Sequence, residues 1–351
     1  MNKMNNNIVL IAGLFAIIAI VAIAGCTGSA SNNPTGTPGA STATPTEITN
    51  GSSTMTTGTT GSAVTSTTDA SQPVTIRFGI IPGSDTAQTV MTKYEPLREY
   101  LENSTGYKWE LYVGTDYTSV ITAMQTKHIE VGSYGPLSYA VAADNAGAQA
   151  FAQGLDKNGD LYYHSTIQAT PAVAQALGIT TPLNGTDGLK TLKTKLDAHQ
   201  GQYTLAYVDP ESTSGYGVFR GTASIVGLDP SVEFKKTAFL GGHPAVGLAV
   251  AAGTSDMGVM SDSTLNTMLS SGQIKNDSIV ELWVSDPIPN SPIAYRSDLP
   301  QDEKDKIANA FINAPSDVLV NSTSSYSFRA VDDSVYAPIH DLAIALSKLT
   351  T

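Results

Sequence analysis

Between Thr27 and Gln72 the chain carries no aromatic residue and only two charges, Glu47 and Asp69, in a run of Ser, Thr, Gly, Asn, Pro and Ala. Such a segment has too little apolar surface to offset the entropy of ordering it. Folding is therefore confined to the part that follows, about 279 of the 351 residues, which at roughly 100–200 residues per domain is room for two modest cores. The segment itself, residues 26–72, reads as a flexible stalk. Asn50, Asn103, Asn184, Asn276 and Asn321 each open an Asn-X-Ser/Thr acceptor for glycosylation. With 19 Lys and Arg against 31 acidic residues, and no basic run, the chain lacks a nucleic-acid footprint. Its 41% hydrophobic content and single cysteine exclude collagen-like, disulfide-stapled and multi-span membrane classes.

The amino terminus reads as an address. Lys3 precedes an apolar run from Ile8 to Ala24. As a helix that run covers roughly 25 Å of a ~30 Å hydrocarbon core, which is short for a permanent span. A charged start, an apolar middle and small residues at Ala22, Ala24 and Gly25 make residues 1–25 a secretory signal peptide. Its end, Ile23-Ala24-Gly25-Cys26, resembles the lipobox of lipoproteins. That resemblance implies that Cys26 becomes a lipid-bearing first residue and ties the chain to the membrane, stably so with two or more acyl chains. The other reading is a buried cysteine behind an uncleaved anchor. Either way Cys26 forms no internal disulfide, because it has no partner.

From Val74 the sequence alternates between two periodicities. Val74 to Ile81 is β-branched and alternating, Pro82-Gly83-Ser84-Asp85 breaks it, and Val90, Tyr94, Leu97 and Leu101 follow at helical spacing. Trp109 to Val113 predicts a strand, Tyr117 to Thr126 a helix, and Ile129 to Tyr134 a short strand. Leu161 to Ala169 is extended, Tyr203 to Val208 a buried strand, and Gly215 to Val226 a helix closed by Gly227. His243 to Ala252 predicts a helix, with strands at Met257 to Met260 and Ile279 to Val284. Repeated βα units imply a mostly parallel sheet covered on both faces, divided between two α/β lobes.

The polar turns between these elements are the candidate sites. Asp209-Pro210-Glu211-Ser212-Thr213-Ser214-Gly215-Tyr216 lies between a buried strand and a helix start. Helix starts carry unpaired N–H groups and partial positive charge, so they accept anions, and three hydroxyls add donors without bulk. The same residues also suit simple capping. Gly241-Gly242-His243-Pro244 has a similar shape, with His243 at a cap, Pro244 at the first helical position, and a ring N–H available to an oxyanion. Asp116-Tyr117-Thr118-Ser119 opens a third helix, where Tyr117 either offers a phenol to the anion or packs in the core. Ser212, His243 and Asp262 are the residue types of a hydrolase triad, but no G-x-S-x-G elbow surrounds a serine. The five histidines, His128, His164, His199, His243 and His340, show no metal-ligand spacing, and no nucleotide motif follows a strand. No cofactor is expected.

These residues together resemble the phosphate/phosphite/phosphonate-binding proteins of ABC importers, from Val74 to Leu346. Phe78 to Pro82, Asp116 to Val120, Glu130 to Ser138, Asp209 to Gly215, Gly242-His243 with Leu248 to Val250 and Asp256, Ser285 to Ile293, and Val331 to Tyr336 carry the likeness. The resemblance implies a two-lobed periplasmic-binding-protein fold of type II, with lobe 1 from 73–168 and 287–351, lobe 2 from 169–286, and crossings near Ile167 and Pro287. It implies no enzyme activity but a phosphorus oxyanion clamped between lobes and passed to an ABC permease and its ATPase. Ser212, Thr213 and Ser214 would hold phosphoryl oxygens, with Tyr117 and His243 as further donors, Tyr163 as a second cleft aromatic, and Tyr134 with Gly135 to Ser138 as a wall. Members that bind aminoalkyl phosphonates carry acids where this chain has Ser263 and Ser291, and Asp262 is the adjacent candidate to accept a P–OH proton. A surface sensor signalling to a kinase, or a Ser212-dependent phosphoesterase, are the competing readings.

Overall fold

The computed structural model describes residues 74–81 and 86–349. The expected signal peptide, Cys26 anchor, stalk and Pro82-to-Asp85 breaker lie outside the described residues. In chain order the strands are Thr75–Ile80 (β1), Lys108–Val113 (β2), Val131–Ser133 (β3), Ala148–Leu155 (β4), Tyr162–Tyr163 (β5), Ser165–Ala169 (β6) and Leu183–Asn184 (β7). They continue with Thr204–Tyr207 (β8), Lys236–Phe239 (β9), Met257–Ser261 (β10), Val280–Val284 (β11), Ile288–Pro289 (β12), Pro292–Arg296 (β13) and Ser327–Ala330 (β14).

Two six-stranded sheets result, ordered β14-β4-β13-β3-β1-β2 and β7-β11-β6-β10-β8-β9, joined by the two-stranded ribbon β12-β5. Each sheet organises one lobe. Helices Ala87–Thr105 and Gln301–Ile312 cover the first. Their apolar stripes meet β1 and β2 in a core where the Phe78 ring makes edge contacts with Tyr94, Trp109 and Phe311. Helix Gly185–Asp197 puts Leu189, Leu192 and Leu196, all fully buried at helical spacing, into the second core beside Trp283.

Two expectations are corrected. The sheets are mixed rather than mostly parallel: β1, β2 and β3 run parallel, but β13 returns from the second lobe and enters antiparallel between β3 and β4. The first crossing also moves. All five residues of β6 pair with β10, and four of them, including Ile167, pair with β11 of the second sheet, so the chain crosses at Tyr162–Tyr163 and returns at Ile288–Pro289, next to Pro287, where the two strands pair. The extended pattern from Leu161 to Ala169 is continuous in sequence, and periodicity says nothing about which sheet a strand joins.

Helix Ala337–Ser347 packs across the join. Its Ile339 shares a small core with Leu137, Ala140 and Ile288, and Leu346 with Val218 of the second lobe packs against it. In the segment before it, Tyr336 donates its hydroxyl to the Asn290 carbonyl at 2.9 Å, and Asp333 accepts from Tyr139 at 2.6 Å.

Gly132 in β3 has a specific reason. A Cβ there would collide with the Tyr134 ring, so the ring folds back over the strand only because the side chain is missing. Gly132→Ala is expected to lower stability by about 1–3 kcal/mol through overpacking, read from the urea midpoint. An unchanged midpoint would mean that Tyr134 swings aside freely.

Candidate functional site

Five helix starts meet at one cleft between the sheets. Helix Tyr117–Gln125 follows β2, Pro136–Ala146 follows β3, Val218–Val226 with its preceding π turn Thr213–Gly217 follows β8, His243–Ala251 follows β9, and Asp262–Ser270 follows β10. The cleft encloses about 520 Å³, and Tyr117, Tyr134, Gly135, Tyr163, Ser212, Thr213, Ser214, His243 and Asp262 all line it. Strand ends of open α/β sheets are where such crevices form. Among the described residues no Lys or Arg lines it, while Asp156, Asp160 and Asp262 do, so any attraction for an anion here must come from neutral donors and helix dipoles.

The strand-to-helix turn supplies the first group. Ser212 caps the helix, its Oγ accepting from the Gly215 N–H at 3.2 Å. Capping and anion binding are therefore not exclusive: the oxygen caps while its proton stays free to donate. Burial raises the carboxyl pKa of Asp209 and Glu211 in the same turn. Tyr117 is the first residue of its helix, held there by a reciprocal cap between Asp116 and Ser119. Its phenol reaches Ser212, and burial pushes its pKa up to about 12. Tyr163 sits on the crossing ribbon with its hydroxyl against Ser214 and Thr213, and burial raises its pKa as well.

His243 has one tautomer imposed on it. The Ser261 backbone N–H donates to Nδ1 at 3.0 Å, so Nδ1 is an acceptor and the proton of the neutral ring sits on Nε2. Nε2 lies 3.5 Å from Ser212 Oγ. A ring nitrogen that holds a proton cannot remove one from Ser212. Asp262 completes no triad either, because it pairs with His164 instead, Oδ2 to Nδ1 at 3.0 Å. His243 is the first helical residue and Pro244 the second, one position later than expected, because Gly242 takes the extended N-cap conformation.

Three sequence-expected residues have duties beyond the ones assigned. Thr213 Oγ1 accepts the Leu137 N–H at 2.8 Å, a buried bond from lobe 2 to lobe 1, while its proton stays available to donate. Tyr134 is a wall, as the resemblance implied, but its hydroxyl turns into the core toward Met124 Sδ at 3.5 Å and is only 1% exposed as a residue. Both Asp262 oxygens are engaged: Oδ1 accepts the N–H groups of His164 at 3.0 Å and Ser263 at 2.7 Å. Sequence reasoning gave Leu137 only as part of the Gly135-to-Ser138 wall, and it missed Ser261 and His164. Leu137 and Ser261 act through backbone N–H groups, which no side-chain pattern advertises, and His164 was tested only against metal spacings.

The His243 ring has an ordinary pKa of 6.5 that burial lowers to about 4. The unfolded chain thus binds the proton first as pH falls. Stability from the neutral ring is present above about pH 6.5 and is lost between there and about pH 4. Ligand-free wild type should lose urea resistance across that window more steeply than His243→Gln. Parallel curves would mean that His243 titrates like an exposed imidazole.

Comparisons with known proteins identify the family and the fold. The family model described as ABC transporter, phosphonate, periplasmic substrate-binding protein matches residues 78–336. A phosphonates-binding periplasmic protein of Escherichia coli is 28% identical over 277 residues, covering 78% of this chain and 77% of that protein. The phosphate-import protein PhnD of Mycolicibacterium smegmatis is 29% identical over 256 residues, covering 70% and 74%. A binding protein component of an ABC phosphonate transporter from Pseudomonas aeruginosa superposes with a TM-score of 0.65 at 25% identity, covering 77% of this chain and 86% of that one. A Prochlorococcus marinus protein solved with methylphosphonate has the same fold, with a TM-score of 0.67 at 16% identity over 79% and 100% of the chains. These relatives are binding components of transporters rather than enzymes, and this chain belongs to the periplasmic phosphonate-binding proteins of ABC transporters.

Proposed function

We propose that this protein captures a small phosphorus oxyanion, a phosphonate, phosphite or phosphate, in the interlobe cleft and delivers it to an ABC permease and its ATPase. Ser212, Thr213 and Ser214 hold the phosphoryl oxygens through hydroxyls and helix-start N–H groups. Tyr117, Tyr163 and the His243 Nε2–H add donors from both sides of the cleft. The observation that supports this reading most is the meeting of those donors, with His243 locked as a donor, in a cavity that no Lys or Arg lines among the described residues. The lobes close about the crossing ribbon, and a ligand that contacts both favours the closed arrangement by its differential affinity for it. The permease then reads the closed shape. Cys26 carries the lipid that keeps the protein on the extracytoplasmic face. Among the described residues no helix is long and apolar enough to cross a membrane.

The full chain, stripped of co-purified ligand, is to be melted with phosphate, phosphite, methylphosphonate, aminoethylphosphonate, sulfate and molybdate. A ligand at 100 times its Kd adds about 2.7 kcal/mol to the folded state. One phosphorus oxyanion is expected to stabilise the wild type, and Ser212→Ala to lose that response. A folded, ligand-free protein that responds to none would overturn the reading. In cells fed a labelled fatty acid, the wild type should take up label and partition with membranes, and Cys26→Ser should do neither. Equal labelling of the two would remove Cys26 as the anchor.

A further inference from the structure

We infer that His164 is an acceptor in the cleft that takes a hydrogen bond from the ligand, so the site selects a tetrahedral oxyanion that still carries an OH group over one that is fully deprotonated. This role, which rests on the phosphorus-oxyanion reading above, follows from which ring nitrogen holds the proton. His164 stands between β5 and β6, lines the same cavity as Ser212 and His243, and has a side chain 33% exposed. Asp262 grips it three ways. The carboxylate accepts the His164 N–H at 3.0 Å and faces Nδ1 at 3.0 Å, while the Asp262 N–H donates to the His164 carbonyl at 3.1 Å. An ionised carboxylate only accepts, so Nδ1 of the neutral ring carries the proton and Nε2 keeps a lone pair. Among the described residues Nε2 has no protein partner.

The cleft therefore holds two imidazoles in opposite tautomers. His243 presents Nε2–H, because a backbone N–H occupies its Nδ1. His164 presents a bare Nε2, because a carboxylate occupies its Nδ1. An oxyanion bound between them finds a donor at one ring and an acceptor at the other. Phosphate near neutral pH always keeps at least one P–OH proton, and sulfate keeps none. A sulfate oxygen against the His164 lone pair leaves that acceptor unsatisfied and adds repulsion, the kind of mismatch that sets specificity. Asp262 is then a positioning residue that fixes the tautomer, and not itself the acceptor of a P–OH proton. The other groups around His164 are Tyr163 before it in the chain and the Glu281 carboxyl of β11, whose charge reaches it. Neither replaces Asp262 at Nδ1.

The test measures the preference for the tightest-binding phosphorus oxyanion over sulfate by calorimetry near neutral pH, in wild type, Asp262→Asn and His164→Phe. The Asn oxygen can keep both backbone N–H bonds while its amide nitrogen turns a donor toward Nδ1, moving the ring proton to Nε2. The preference is expected to fall by about tenfold or more in Asp262→Asn, and also in His164→Phe, which retains ring bulk without the acceptor. Nitrogen-15 spectra of the rings should show His164 protonated on Nδ1 in wild type and on Nε2 in Asp262→Asn. A preference within twofold of wild type in both variants, or a wild-type His164 protonated on Nε2, overturns the role. Wild type that binds no phosphorus oxyanion fails the earlier reading instead.

Discussion

The bond from the Leu137 N–H to Thr213 Oγ1 joins the two lobes at the point where the ligand groups gather. Both ends sit at helix starts, Leu137 just inside the helix after β3 and Thr213 at the π turn after β8. Thr213 accepts from Leu137 with one lone pair, and its proton remains a donor within reach of the Tyr163 hydroxyl. One hydroxyl therefore belongs both to the contact between lobes and to the lining of the cleft. Beneath it the small apolar core of Leu137, Ala140, Ile288 and Ile339 gives the contact a dry floor, where a hydrogen bond is stronger than in water.

The electrostatic problem is that an acidic chain, of formal charge −12, holds an anion. Its long-range field opposes the approach. In the proposed site the answer is neutral groups: N–H groups at helix starts, serine and tyrosine hydroxyls, and an imidazole kept uncharged by burial. Such donors fix orientation without the strong, unspecific pull of a lysine or arginine. In the function proposed above, ligand identity is then read through hydrogen-bond direction, and each hydroxyl or ring matters by which way its proton points.

Much of the fold was legible because βα alternation is a local pattern. Phe78 in its alternating run, the helical spacing of Val90, Tyr94 and Leu97, and the buried run before Asp209 all fell where the strands and helices lie. The hydroxyl run Ser212 to Ser214 and the Gly242-His243 turn marked strand ends, and those ends face one cleft. The assignment of β6 to the second sheet was not legible, since its residues look equally at home in either.

By itself the sequence determined the kind of those elements it marked clearly, the two-lobed α/β class, and which residue types stand at several strand ends, because propensity, periodicity and turn chemistry act over a few neighbouring residues. Only the tertiary structure decided what those residues touch. Leu137 and Thr213 are 76 positions apart, and His164 and Asp262 are 98 apart. The tautomer of each cleft histidine depends on such a distant partner, a backbone N–H for His243 and a carboxylate for His164. A proton's place on a ring is set by what lies within 3 Å of it in space, and no spacing along the chain records that.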